Sequence, residues 1–133
     1  MIVITCVDDN LGMLFHNRRQ SRDRVAVEEI IRRVQAKTLY CNAYSAELFA
    51  GRIELKVSED FLACAGEKDF CFVENTDILP YQDKITGVIM VKWNRVYPAD
   101  MWWEFPLEGW KLKHRTEAVG YSHDKLTIEE YER

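Results

Sequence analysis

Apolar positions along the chain change their period several times, and each change marks an element. Met1–Val7 is a near-continuous apolar run, the pattern of a strand covered on both faces. Asp8-Asp9-Asn10 ends it, and Gly12 permits a turn. Residues 14–22 show no clean period and read as a long loop. Val27, Ile30, Ile31 and Val34 then fall at i, i+3, i+4 and i+7, the single apolar stripe of a helix. Ser21 is its expected N-cap, with Asp23 in the first turn. Glu28–Arg32 and Glu29–Arg33 are i,i+4 pairs expected on the wet side of that helix.

Shorter segments follow. Thr38–Cys41 reads as a strand, Ser45–Phe49 as a turn or two of helix broken at Gly51, and Arg52–Val57 alternates as a strand with one buried face. Ser58-Glu59-Asp60 resembles a helix start with Phe61, Leu62 and Cys64 behind it. Asp69–Val73 and Ile85–Trp93 read as strands. Lys111–Val119 and Lys125–Arg133 read as an antiparallel pair joined through residues 120–124. Helices between early strands, then a closing hairpin, predict a single α/β domain over residues 1–133. Its sheet is expected to be mixed and mainly parallel, with flanking helices and an antiparallel C-terminal strand.

Composition narrows the function classes. The chain is 47% hydrophobic and 30% charged, ordinary for a soluble globular domain. No apolar run approaches the ~20 residues of a membrane span, and the start lacks a basic n-region. A cytoplasmic location without a membrane partner is therefore expected. A net charge of −4 and a pI near 5.4 argue against whole-surface attraction to nucleic acid. Cys6, Cys41, Cys64 and Cys71 form no C-x-x-C pair and have no nearby His, so they are expected to be inert core thiols, and no metal site is expected. Phosphate-loop, serine-hydrolase-elbow and zinc-protease motifs are all absent.

Two local features stand out. HNRRQSRDR, residues 16–24, sets Arg18, Arg19, Arg22 and Arg24 against one acid, Asp23, just before a helix N-terminus. Guanidinium forks and backbone N–H groups there suit an anionic small molecule; the other reading is a solvated loop paired to Glu28 and Glu29. Trp93, Trp102, Trp103, Phe105 and Trp110 could fill a core or a homodimer interface. Adjacent Trp102 and Trp103 point to opposite faces if extended, leaving one exposed.

Several landmarks, in order, resemble dihydrofolate reductase. They are Val7-Asp8 with Leu11-Gly12-Met13, Asp23 at the first helix, KTLYCNAYSAELF (residues 37–49), CFVENTDILPY (71–81), ADMWWEFPLEGWKL (99–112) and the final EEYER. The resemblance covers nearly the whole chain and implies that family's fold. It also implies that Met13 lies by the ligand and that Asp23 is a substrate-binding carboxylate; the residues alone equally allow Asp23 as a helix-dipole partner. The family carries two adjacent glycines where this chain has Glu74 and Asn75, and a Gly-Arg where it has Asn42 and Ala43. Side chains at 74 and 75 would block a close approach of ligand to backbone, and a bare Glu74 would repel phosphates. From this follows the expectation of no cofactor and of a small anionic-ligand or protein-binding role. The alternative is a divergent NADPH-dependent reductase of a pteridine-like heterocycle, with Asp23 orienting the substrate.

Overall fold

The computed structural model describes residues 1–35 and 37–133, and places ten strands and three short α-helices among them. The strands are β1 (Ile2–Val7), β2 (Gly12–Phe15), β3 (Arg18–Arg19), β4 (Leu39–Cys41), β5 (Leu55–Val57), β6 (Phe70–Phe72), β7 (Gly87–Lys92), β8 (Met101–Trp102), β9 (Lys111–Ala118) and β10 (Leu126–Glu132). The helices are α1 (Arg24–Val34), α2 (Ala43–Ala46) and α3 (Phe61–Cys64).

Seven strands form the main sheet in the order β5-β4-β6-β1-β7-β10-β9. The first five are parallel, and β10 runs antiparallel between β7 and β9. This is the expected mixed, mainly parallel sheet. Its continuous apolar strands follow from having both faces covered. On one face Ile4 packs with Ile30 and Val34 of α1, Phe49, Phe72 and Ile128. On the other, Val3 and Val7 pack with Phe61, Leu62, Met90 and Trp103. Alternate residues of β1 thus serve opposite cores, as a period of two requires. Each fully buried Ile or Leu contributes roughly 1.5–3 kcal/mol.

The structure departs from the sequence reading in four places. Residues 14–22 are not a long loop: β2 and β3 pair as a hairpin about His16 and Asn17. Both turn residues have positive φ, 50° and 60°, the conformation a tight two-residue hairpin needs. β8 adds to β2, so a second, three-stranded sheet β3-β2-β8 lies beside the first. The N-cap of α1 is Asp23 rather than Ser21. Glu29 is buried, not on the wet side, and bonds Arg32 at 2.8 Å and Arg33 at 3.5 Å, while Glu28 faces Arg52.

Cys41 and Cys71 are buried free thiols as expected, whereas Cys6 is half-buried and Cys64 is exposed on α3. Burial pushes the Cys41 thiol up to about 11 and Cys71 up to about 12. No described helix is long and apolar enough to cross a membrane. Trp93, Trp103 and Phe105 are core residues, while Trp102 is half exposed.

Candidate functional site

The parallel strands β1, β6 and β7 deliver Cys6, Phe72 and Trp93 at their C-terminal ends, the place where α/β sheets open a cleft. The apolar stripe of α1 forms one wall of this cleft through Ala26, Val27 and Ile30. Met13 of β2 also lines it. Gly12 is required beside it: a side chain there would meet Gln20 Nε2 at 2.6 Å and Ala99 Cβ at 2.7 Å. The enclosed part of the pocket is narrow, with about 20 Å³ of room, enough for a water and too little for a bicyclic ring.

Arg19 and Glu74 span the mouth. The Arg19 guanidinium grips Glu74 with both arms, Nε at 2.8 Å and Nη2 at 3.1 Å, a fork-to-carboxylate pair. Ser45 Oγ donates to the same carboxylate at 2.7 Å. The third arm, Nη1, holds Glu47 at 2.8 Å, Nη2 also donates to the Tyr44 carbonyl at 3.1 Å, and the cation lies 4.3 Å above the Tyr44 ring. Burial opposes the Arg19 charge, but its two carboxylate partners outweigh burial and raise its pKa further. Glu74 is therefore a neutralised, buried group and not a bare charge in the cleft. Asn75 is exposed, and its Oδ1 accepts from Asn42 Nδ2 at 2.7 Å. Asn42 also caps α2, its Oδ1 accepting from Ser45 N at 3.1 Å. Replacing Asn42 by alanine is expected to cost about 1 kcal/mol, the usual value of an N-cap, read as a lower urea midpoint with unchanged slope.

Asp23 sits behind this pair. Its side chain is fully buried and accepts five hydrogen bonds: from Val25 N, Tyr121 N, Ser122 N, Ser122 Oγ and His123 Nδ1, at 2.8 to 3.2 Å. Burial alone would raise the Asp23 pKa; the His123 and backbone donors overcome it and hold the carboxyl well below its usual range. A carboxylate so filled is a helix cap and a clamp across the sheet. It has no free lone pair to offer an aminopyrimidine, so of its two sequence readings the cap is the one the geometry shows. His123, buried and stacked on Trp93 at 4.7 Å, escaped sequence reasoning; its only signal was position in a turn 100 residues from its partner.

The remaining arginines divide. Arg24 stacks on Tyr121 at 4.2 Å, while Arg18 and Arg22 are without a carboxylate partner among the described residues. The expected pairs from this loop to Glu28 and Glu29 do not form. The described residues contain no cluster of His, Cys, Asp or Glu able to hold a metal ion.

A scan of the sequence against family models gives no match, and neither does a comparison with curated proteins. Solved structures do match. Dihydrofolate reductase from Enterococcus faecalis, complexed with NADP(H) and RAB-propyl, superposes with a TM-score of 0.69 at 9% identity over 99% of this chain and 95% of that one. This finding overturns the expectation of no cofactor. That expectation rested on the side chains at 74 and 75 and on the charge of Glu74; Arg19 neutralises that charge and so removes the repulsion from it. The chain has the dihydrofolate reductase fold.

Proposed function

We propose that this chain binds a small phosphate- or carboxylate-bearing molecule at the mouth of the cleft. The observation that carries the reading is the pair Arg18 and Arg22, two cations with no carboxylate partner among the described residues, Arg22 lining the pocket and Arg18 lining the shallow groove that shares Arg19 and Gln20 with it. Unpaired guanidinium groups four residues apart, one on β3 and one just before α1, favour an oxyanion strongly, because charge-assisted bonds are the stronger class. Gln20 Oε1, buried nearby without a donor, adds a site for a hydroxyl or amide N–H of the same molecule. NADP(H) is the first ligand to try, since it is an oxyanion-rich molecule and the structural neighbour is complexed with it.

Trp93 lines the pocket and serves as reporter. NADPH is expected to quench its fluorescence saturably, and the affinity should fall steeply with salt. The double variant Arg18→Gln/Arg22→Gln should weaken binding by about tenfold or more, from the loss of two charge-assisted contacts. Unsaturable quenching, insensitive to both salt and the variant, would remove this reading.

A reductase of a pteridine-like heterocycle is the second reading, favoured by the fold match alone. NADP(H) would supply the hydride in such a reaction. This chain would contribute the arginines that hold phosphates and the apolar wall of Val27, Phe72 and Trp93. Loss of NADPH absorbance on adding a dihydropteridine distinguishes turnover from binding alone.

A further inference from the structure

Three hydroxyl and imidazole groups, scattered in sequence at 21, 97 and 123, meet beside the pocket. His123 Nδ1 faces the Asp23 carboxylate at 2.8 Å. On the other edge of the ring, Nε2 lies 2.8 Å from Tyr97 Oη and 3.3 Å from Ser21 Oγ. The two hydroxyl oxygens are 3.3 Å apart. Asp23 is an acceptor only, so the ring hydrogen sits on Nδ1 and the Nε2 lone pair points at the hydroxyls. Trp93, stacked on the ring, fixes its plane. Ser21 is half-buried and lines the pocket together with Arg22.

A clamp between α1 and the β9–β10 turn explains the Asp23 side of this cluster. It does not explain two hydroxyls brought to one acceptor nitrogen at a pocket wall, since a single donor satisfies that nitrogen. The order carboxylate, imidazole, serine hydroxyl is the arrangement that activates an oxygen nucleophile, and it is recognised by geometry on any fold.

We propose that Ser21 is a nucleophile activated by His123, with Asp23 as the positioning residue, and that the site cleaves esters with a short acyl group. Ser21 Oγ adds to the carbonyl carbon as its proton passes to Nε2. The tetrahedral species collapses, the alkoxide leaves, and it takes that proton from His123. Water then adds to the Ser21 ester, giving a proton to Nε2; collapse breaks the Oγ–acyl bond and returns the proton to Ser21. The net change is ester plus water to acid plus alcohol, without redox. Arg22 is the pocket's uncommitted donor for the oxyanion. The narrow enclosed space excludes a bulky acyl part. Tyr97 competes with Ser21 for Nε2 and, being closer, holds the resting site back. This activity does not rest on the anion-binding reading.

The test uses the full chain with a fluorophosphonate probe, peptide mapping of the label, and p-nitrophenyl acetate hydrolysis. Label is expected on Ser21, and should be lost in Ser21→Ala together with turnover above the buffer rate. Tyr97→Phe should speed labelling of Ser21 by roughly three- to tenfold, from removal of the competing donor. A merely structural cluster would lose stability in that variant without gaining reactivity. The proposal is overturned if Ser21 stays unlabelled in both the parent chain and Tyr97→Phe. Hydrolysis unchanged in a folded Ser21→Ala also overturns it.

Discussion

Replacing Asp23 by alanine is expected to destabilise the protein by about 3–5 kcal/mol, a large share of the stability of a small domain. The carboxylate is wholly buried and receives three backbone N–H groups, a hydroxyl and an imidazole. Deleting it strands those donors, each at about 1–3 kcal/mol, less whatever water recovers. The melting temperature should fall by roughly 10–20 °C. Asn in place of Asp keeps the shape but turns an amide N–H₂ toward donors, so it should relieve only part of the loss.

Acid should have the same target. The folded-state pKa of Asp23 is depressed, so its contribution is fully present above the ordinary carboxylate value of 3.8. It drains away as pH falls below that value toward the depressed one. Stability measured between about pH 4 and pH 2 should therefore drop in the parent chain and be flatter in Asp23→Asn. An identical slope in both would show that the clamp is not the titrating element.

The second large effect concerns Arg19 and Glu74. Arg19→Met is expected to cost about 3–5 kcal/mol, because it leaves a buried carboxylate with only Ser45 for company. Glu74→Leu leaves Arg19 with Glu47 and the Tyr44 ring, and should cost less. The double variant Arg19→Met/Glu74→Leu should recover most of the loss, since an apolar pair carries no desolvation cost. Urea titration of the four chains gives the coupling energy directly. Costs that simply add would mean that the pair does not act as a unit.

The contrast between these two sites explains what the sequence could tell. Strands β1 and β7 and helix α1 were legible because long apolar patterns have a period, and Val27, Ile30 and Val34 announce one face by spacing alone. The two-residue strands β3 and β8 have no room for a period, so Arg18-Arg19 read as loop. Their pairing is set by the positive φ of His16 and Asn17, which neither residue type advertises as glycine would. Asp23 was visible as a candidate, but its role was not. That role is decided by residues 121–123, which lie about 100 positions further along the chain. Glu74 misled for the same reason: its charge is plain in the sequence, whereas the Arg19 that cancels it arrives from 55 positions away.

Strand β10 lies between β7 and β9, so residues 126–132 supply an inner rung of the sheet. During translation, a nascent chain that has emerged only as far as β9 would carry the edge of β7 bare, with Val88, Met90 and the rest of an apolar strand unpaired. The interval before residue 132 clears the ribosome is thus the period of greatest exposure to misassembly, and the stage at which a chaperone would find most to hold.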